Sequence, residues 1–197
     1  SSFLKTSVGF GGSCFQKDIL NLVYIARSMR LEKVADYWEQ ILIINNHQRN
    51  RFSKKIIECI RKNNLLHKVL ILGWAFKKDT NDTRESAAIY VADNLLKKQI
   101  LIDVYDPKVD KKQVKLDLFQ LNNDYSSRMV NFSDTPTKNL SSCNVIAILT
   151  EWDEFKNYDW KKIFKKMRKP AYVFDGRNLL DMDKLKSIGF NYIGLGR

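Results

Sequence analysis

Hydrophobic positions repeat with a helical period over the first 67 residues of the chain. They follow the i, i+3, i+4 spacing of an amphipathic helix at Ile19, Leu20, Leu22, Val23, Ile25, Ala26 and Met29. A second helix is predicted from Lys33 to Lys62, a stretch without proline or glycine that would be about 45 Å long. Because residues 41–44 are apolar all round, we expect the middle of this helix to be buried in a bundle core, between two domains or in a dimer interface.

From Lys68 onward the pattern changes to short β-rich runs separated by helix-compatible stretches. The runs lie at residues 69–72, 100–105, 129–132, 145–149, 172–174 and 192–193. Helices are predicted between several of them, at residues 84–98, 160–169 and 182–187. Such alternation is typical of right-handed crossovers, so we predict an α/β fold with a doubly wound parallel sheet after the helical segment.

Composition excludes several classes of protein. The chain has 197 residues, enough for one large domain or one domain with an appendage, and its 44% hydrophobic and 28% charged residues are typical of soluble globular proteins. We expect no membrane partner, because no apolar run approaches the roughly 18 residues of a membrane span. Three cysteines without a CxxC pair argue against a disulfide framework or zinc ribbon and favour a reducing, cytoplasmic location. The two histidines leave no metal cluster.

The net charge of +12 raises the question of an anionic partner. Residues 1–67 carry 11 basic and 5 acidic groups, and residues 68–197 carry 23 and 17, so each part has a net charge of +6. Because the positive charge is not concentrated in one part of the chain, the sequence favours a phosphorylated small molecule as the anionic partner. We do not expect nucleic acid as a partner.

A glycine-rich loop directly precedes the first predicted helix. Gly9, Gly11 and Gly12 allow backbone conformations with positive φ and a close approach to a ligand. Ser13 and Gln16 have the spacing of a capping box, which predicts Ser13 as the N-cap.

This cap places Cys14 at the first helical position, where the helix dipole and the nearby Lys17 favour a thiolate. Asp18 follows one turn later on the same face. A thiolate beside a carboxylate is a candidate pair for covalent catalysis. The alternative is that Cys14 is a buried structural thiol and that the glycines serve only a turn.

The loop after the first strand, residues 73–86, lies where open α/β sheets bind ligands. It lacks the GxGxxG fingerprint of a dinucleotide site, but Lys77 and Arg84 supply charge for a phosphate and Phe76 offers a flat face for a base or sugar. The alternative is an ordinary connecting loop with solvated charges.

Other loops follow strands at the same edge of the predicted sheet. Asp82 and Glu85 have capping spacing for the next helix, and residues 150–155 and 175–178 follow later strands. Asp106 ends the second strand where a dinucleotide fold has its ribose-binding acid, but with no glycine fingerprint before it we interpret it as part of a turn.

Taken together, four motifs resemble those of the nucleotide-sugar dehydrogenases of the UDP-glucose/GDP-mannose dehydrogenase family. They are GFGGSCFQKD at residues 9–18, GWAFKKDTNDTRES at 73–86, TEWDEF at 150–155 and FDGRN at 174–178. The resemblance runs from Ser7 to Arg197 in the family's order. It implies a central helical dimerisation segment with a catalytic cysteine loop over residues 1–67 and a Rossmann-like domain that binds a UDP-sugar over residues 68–197.

The activity that this resemblance implies is oxidation of UDP-glucose to UDP-glucuronate with two NAD+. Cys14 matches the family's nucleophile, which forms a thiohemiacetal and then a thioester, and Asp18 matches the carboxylate that assists hydrolysis. Matched substrate-binding residues are Lys5, Thr6, Ser7, Val8, Gly9, Phe10, Gly11, Phe76, Lys77 and Arg177. Matched cofactor-binding residues are Cys14, Phe15, Gln16, Lys17 and Arg84, and no metal ligand is implied.

The family's N-terminal NAD-binding domain has no counterpart in these 197 residues. We therefore expect the C-terminal portion of a longer homo-oligomeric enzyme, inactive without that domain. Alternatives are a sibling dehydrogenase acting on GDP-mannose or a UDP-N-acetyl sugar, a basic nucleic-acid-binding module, and a cysteine hydrolase that pairs Cys14 with His47 or His67.

Overall fold

The computed structural model describes residues 6–122, 129–138 and 140–196. Two helices come first, α1 over Ser13–Ser28 and α2 over Glu32–Lys62, so both predicted helices are confirmed. They pack against each other around a small hydrophobic cluster formed by Ile19, Val23, Ala26 and Ala35. The second half of α2 belongs instead to the main core, which it joins through Phe52, Ile56 and Ile60.

Six parallel strands in the described residues form one sheet with the order β3-β2-β1-β4-β5-β6. They are β1 Lys68–Leu72, β2 Leu101–Tyr105, β3 Val130–Phe132, β4 Val145–Ile148, β5 Tyr172–Asp175 and β6 Asn191–Gly194. Leu70 in the central strand pairs with Asp103 of β2 and Ile146 of β4. This is the strand order of a Rossmann fold, and the predicted doubly wound α/β class is confirmed.

The helices of the α/β part are α3 Ala87–Leu96, α4 Lys111–Leu121, α5 Asp153–Lys156, α6 Trp160–Lys166 and α7 Met182–Ile188. A 3-10 turn covers Leu140–Ser142. The strands β1 and β4 are buried almost throughout, as expected for a parallel sheet covered on both faces. Because every strand runs in the same direction, the loops that follow β1, β2, β4 and β5 meet at one edge of the sheet.

The predicted capping residues are wrong at both helix starts that flank this edge. The N-cap of α1 is Gly12, with φ +89°, and no side chain caps the helix; the Ser13 hydroxyl lies 3.8 Å from the Cys14 sulfur instead. The N-cap of α3 is Ser86, whose hydroxyl accepts a hydrogen bond from the Ala88 amide. In both cases a contact with another segment sets the backbone before the helix, which short-range spacing does not report.

The expected burial of residues 41–44 is also wrong for a single chain. Ile41 and Leu42 are half-buried, whereas Ile43 is 51% and Ile44 64% exposed. Ile41 and Leu42 pack on the small cluster shared with α1, and no element among the described residues covers Ile43 and Ile44. Among the described helices, none has both the length and the hydrophobicity to cross a bilayer.

Candidate active site

The glycine loop, residues 6–12, packs against the loop that follows β1. The Gly12 amide donates a hydrogen bond to the Arg84 carbonyl at 2.8 Å. A Cβ added at Gly11 would lie 2.5 Å from the Glu85 carbonyl oxygen, and one at Gly12 would lie 3.0 Å from the Phe76 ring. Glycine is therefore required here by the close approach of two backbones, and the loops form one continuous surface.

Two polar side chains of α2 hold the glycine loop by hydrogen bonds to its backbone. The Asn45 amide group accepts a hydrogen bond from the Phe10 amide at 2.9 Å and donates one to the Phe10 carbonyl at 3.1 Å. The Arg49 guanidinium, 2% exposed, donates to the carbonyls of Phe10 and Glu85 at 2.7 and 2.9 Å. Sequence reasoning missed both residues, although two polar side chains one helical turn apart in an otherwise apolar stripe were a signal.

Cys14 lies in the first turn of α1 and is exposed, as are Lys17 and Asp18. The hydrogen bond between Gly12 and Arg84 brings the start of α1 beside Arg84. Hydrogen bonds to Asp82 raise the pKa of the Arg84 guanidinium, and the nearby Cys14 adds a smaller effect in the same direction.

Asp82, predicted as a helix cap, instead holds the Arg84 side chain. Its carboxylate accepts from Nε at 3.0 Å, from a terminal nitrogen at 2.7 Å and from the Arg84 amide at 3.0 Å. These contacts with Arg84 lower the pKa of Asp82. Asp82 therefore holds the Arg84 guanidinium in a defined place beside the cysteine turn, the first turn of α1 that carries Cys14.

Three of the predicted cofactor residues line one cleft. Gln16, Lys17 and Arg84 border a space of about 710 Å³ between α1, the Arg84 loop and α4. Its far wall includes Asp117, which is buried and accepts hydrogen bonds from the Trp74 indole, the Thr83 hydroxyl and the Gln113 amide. Of the other two predicted residues, Cys14 stands in the same helical turn, and Phe15 packs edge-on against Phe10 with ring centres 4.6 Å apart.

Arg177 ties together three loops at the sheet edge. It follows β5, and its guanidinium donates to the Leu149 carbonyl after β4 and to the Phe76 carbonyl after β1, both at 2.8 Å. A carboxylate oxygen of Glu151 lies 3.2 Å from its Nε. Burial lowers the pKa of Arg177. The exposed Lys77 ammonium stands 5.3 Å from the centre of the Phe76 ring, so both cations lie next to Phe76, Lys77 at its ring and Arg177 at its carbonyl.

The remaining predicted substrate residues form the start of the glycine loop. Val8 is fully buried and touches Gly176, which precedes Arg177. The Ser7 hydroxyl donates to the Gly9 carbonyl at 3.1 Å, and Thr6 is exposed. Lys5 lies outside the described residues. The loop thus runs from the Arg177 loop at one end to Arg84 and Cys14 at the other.

Asp106 forms the predicted turn and does more. One oxygen accepts from the amides of Lys108 and Val109, which closes the turn after β2. The other accepts from the Trp74 amide at 2.6 Å, the Ala75 amide at 3.0 Å and the Trp152 indole at 3.0 Å. This buried carboxylate therefore ties the loop after β1, which carries Phe76 and Lys77, to the loop after β4.

Comparison with known proteins connects this geometry to a family. The model for the UDP binding domain of the UDP-glucose/GDP-mannose dehydrogenase family matches residues 70–182, and the model for its central domain matches residues 1–47. The UDP-glucose 6-dehydrogenase of Drosophila melanogaster is 46% identical over 201 residues, and UDP-glucose 6-dehydrogenase 4 of Arabidopsis thaliana is 46% identical over 209. Both alignments cover 100% of this chain but only 42% and 44% of the relatives.

Solved structures show the same architecture. A UDP-glucose dehydrogenase from Pyrobaculum islandicum superposes with a TM-score of 0.72 at 26% identity, over 96% of this chain and 38% of that one. The UDP-D-ManNAc dehydrogenase from Pyrococcus horikoshii gives 0.73 at 26% identity, over 97% and 40%. The GDP-mannose dehydrogenase from Pseudomonas aeruginosa gives 0.67 at 20% identity, over 90% and 38%, a likeness of fold alone.

Proposed function

The chain belongs to the UDP-glucose/GDP-mannose dehydrogenase family, and we propose that it is the C-terminal portion of an NAD-dependent enzyme that oxidises UDP-glucose to UDP-glucuronate. The observation that carries this proposal is the packing of the cysteine turn on the Arg84 loop, through the hydrogen bond from the Gly12 amide to the Arg84 carbonyl. It supports a site in which a nucleophile, a fixed cation and phosphate-binding side chains share one sheet edge.

In this proposal Lys77 and Arg177 bind the diphosphate of the UDP-sugar. Charge-assisted hydrogen bonds to phosphate are among the strongest that side chains make. Arg177 is held by two carbonyls and a carboxylate before any ligand arrives, so little side-chain entropy is lost on binding. The glycine loop would lie along the sugar, since its backbone approaches closely without side chains.

The chemistry of this chain centres on Cys14. Its sulfur would attack the aldehyde carbon of the half-oxidised sugar, forming a thiohemiacetal that becomes a thioester after the second oxidation. Water would then cleave the carbon–sulfur bond, with Asp18 accepting a proton from that water and the thiol leaving. NAD+ would supply the two-electron acceptor for each oxidation. Lys17 and Arg84 border a cleft that suits a pyrophosphate, which is consistent with that cofactor.

We also propose that the chain forms a homodimer or higher homo-oligomer through α1 and α2 and that the enzyme is cytoplasmic. Large apolar side chains are left exposed on α1 and α2, including Tyr24, Tyr37, Ile43 and Ile44, and Met29, directly after α1, is exposed as well. A patch of this kind normally marks an interface. All three cysteines are free thiols, which suits a reducing compartment.

Calorimetric titration of the chain tests the proposed substrate. UDP-glucose and UDP are expected to bind, and GDP-mannose and UDP-N-acetylglucosamine to bind more weakly. An Arg177→Gln variant should lose at least about tenfold in UDP affinity, the loss of one charge-assisted contact, whereas the exposed Arg168→Gln should match the wild type.

Tighter binding of GDP-mannose or the N-acetyl sugar would favour a sibling dehydrogenase. Binding of a nucleic acid that weakens steeply with salt, with no response to any sugar nucleotide, would favour the basic module instead.

A further inference from the structure

Arg49 is a buried cation placed between the two loops of the candidate active site. A single terminal nitrogen donates to the Phe10 carbonyl at 2.7 Å and to the Glu85 carbonyl at 2.9 Å. The other terminal nitrogen lies 3.5 Å from the Glu85 carboxylate. Both carbonyls are close in sequence to the hydrogen bond between the Gly12 amide and the Arg84 carbonyl: Phe10 lies two residues before Gly12, and Glu85 directly follows Arg84. Arg49 therefore holds the place where the glycine loop, just before Cys14, meets the Arg84 loop.

The surroundings of the guanidinium fix Glu85 as well. The guanidinium carbon of Arg49 lies 4.1 Å from the centre of the Tyr90 ring, and the Tyr90 hydroxyl donates to the Glu85 carboxylate at 2.7 Å. Glu85 has φ +55°, a left-handed conformation that an ordinary residue keeps only where its surroundings hold it. Burial and the Glu85 carboxylate raise the pKa of Tyr90 to about 12, so this hydroxyl stays a donor at neutral pH.

This arrangement is a poor way to gain stability alone. A buried charge must be compensated by good hydrogen bonds, and an apolar side chain of similar size often stabilises a core as well. One terminal nitrogen of Arg49 donates to the two loop carbonyls and the other donates to the Asn46 side chain at 3.4 Å. Within the described residues its Nε makes no hydrogen bond. An apolar side chain in place of Arg49 could not donate hydrogen bonds to the two carbonyls. A lysine could donate from its one nitrogen, but it lacks the flat guanidinium face that stacks on Tyr90.

We propose that Arg49 is a positioning residue that sets Cys14 against Arg84, an inference that rests on the proposed function for its catalytic meaning. By fixing the Phe10 and Glu85 carbonyls, it keeps the Gly12 amide on the Arg84 carbonyl and hence the first turn of α1 beside the arginine. It touches neither the candidate nucleophile nor the candidate diphosphate ligands. Its effect reaches substrate through the glycine loop.

The test uses Arg49→Ala in the 197-residue chain, with Arg51→Ala as the matched control. Arg51 is exposed on the same helix, and among the described residues its guanidinium hydrogen-bonds to the Gln48 side chain at 3.5 Å. Amide hydrogen exchange is measured at Gly12 in the loop and at Ile71 in β1, together with the UDP-glucose dissociation constant of the folded protein. In Arg49→Ala the ratio of Gly12 to Ile71 protection should fall about tenfold and UDP-glucose should bind about tenfold more weakly. Arg51→Ala should stay within twofold for both.

A residue that only stabilised the fold would act differently. Protection of Ile71 would fall with global stability, the ratio would stay constant or rise, and UDP-glucose affinity of the folded fraction would not change; that pattern overturns the proposal. If Arg49→Ala does not fold, Arg49→Lys takes its place, and the same ratio is expected to fall by a smaller factor. If the wild-type chain binds no UDP-glucose, the proposed function fails, while the exchange ratio still decides whether Arg49 positions the loop.

Discussion

The three cysteines occupy environments that separate chemistry from packing. Cys14 is exposed in a helix turn beside a fixed arginine, whereas Cys143 is buried and its thiol donates to the Val145 carbonyl. Burial raises the pKa of Cys143 to about 11 and also raises the pKa of Cys59. A raised pKa leaves less thiolate at neutral pH, and the thiolate is the reactive form. Among the three, Cys14 is the one that a reagent in solution reaches directly.

We predict that Cys14 is alkylated first. Brief treatment with iodoacetamide at pH 7, followed by mass spectrometry of the peptides, should label Cys14 well before Cys59 and leave Cys143 almost unlabelled. A Cys14→Ser variant provides the control, because its two remaining thiols should keep their wild-type rates. Labelling of Cys59 or Cys143 as fast as Cys14 would contradict the prediction.

Asp106 shows how much one buried carboxylate can organise. Replacing it with alanine leaves the Trp74 amide and the Trp152 indole without their acceptor, along with three further amides. We expect Asp106→Ala to lower the free energy of unfolding by about 3–5 kcal/mol, measured by urea denaturation. Asp110→Ala, which removes only an exposed helix cap, should cost about 1 kcal/mol. Equal effects of the two substitutions would show that the Asp106 network is not important for stability.

Helix α2 does two jobs along its length. Its second half belongs to the main core, and its middle carries Asn45 and Arg49, which hold the glycine loop. Its first half packs on α1 and leaves Ile43 and Ile44 exposed next to Asn45 in sequence. An interface through Ile43 and Ile44 would therefore adjoin Asn45 and Arg49, the residues that hold the glycine loop.

We predict that Ile44→Glu shifts the chain from dimer to monomer, because it places a charge in an apolar contact. Sedimentation equilibrium at micromolar concentration measures the change. The control is Lys54→Gln, which changes the net charge by the same amount at an exposed position in the half of α2 that joins the main core and should leave the dimer intact. A wild-type chain that sediments as a monomer would refute the prediction.

Most elements were visible in the hydrophobic pattern. Each predicted β-rich run coincides with a strand, and the ends of the two differ by at most one residue. The reason is that a buried parallel strand is a short, nearly continuous apolar run. Helix α4 was missed, since several of its apolar residues, such as Leu116 and Phe119, point to solvent and blur the amphipathic period. The predicted start of α3, at residue 84, was too early for a different reason, the unrecognised cap at Ser86.

The chain spans less than half the length of the relatives it matches, and this limits what it can do alone. The described residues provide a candidate nucleophile, an anchored arginine and the fold of the domain that matches the family's UDP binding domain. Oxidation also requires the cofactor to be held against the reacting carbon of the sugar. Such positioning is worth about 7–11 kcal/mol in well-oriented systems.

We therefore predict that this chain binds UDP-glucose weakly and does not oxidise it. Incubation with UDP-glucose and NAD+, followed by absorbance of the reduced cofactor, should show no turnover. A Cys14→Ser variant run in parallel identifies any background. Steady turnover by the wild type that this variant loses would mean that a complete site exists within these 197 residues.

Local information in the sequence was sufficient for the class of the fold and for the loops that carry the candidate site. Hydrophobic periods report which face of an element is buried, and glycine and charge motifs occupy a few consecutive positions, as with Cys14, Arg84 and Arg177. The N-cap at Gly12 and the roles of Asn45, Arg49 and Asp106 required the folded chain. Buried polar groups take partners from whichever segment packs beside them, so their bonds depend on contacts between residues far apart in sequence.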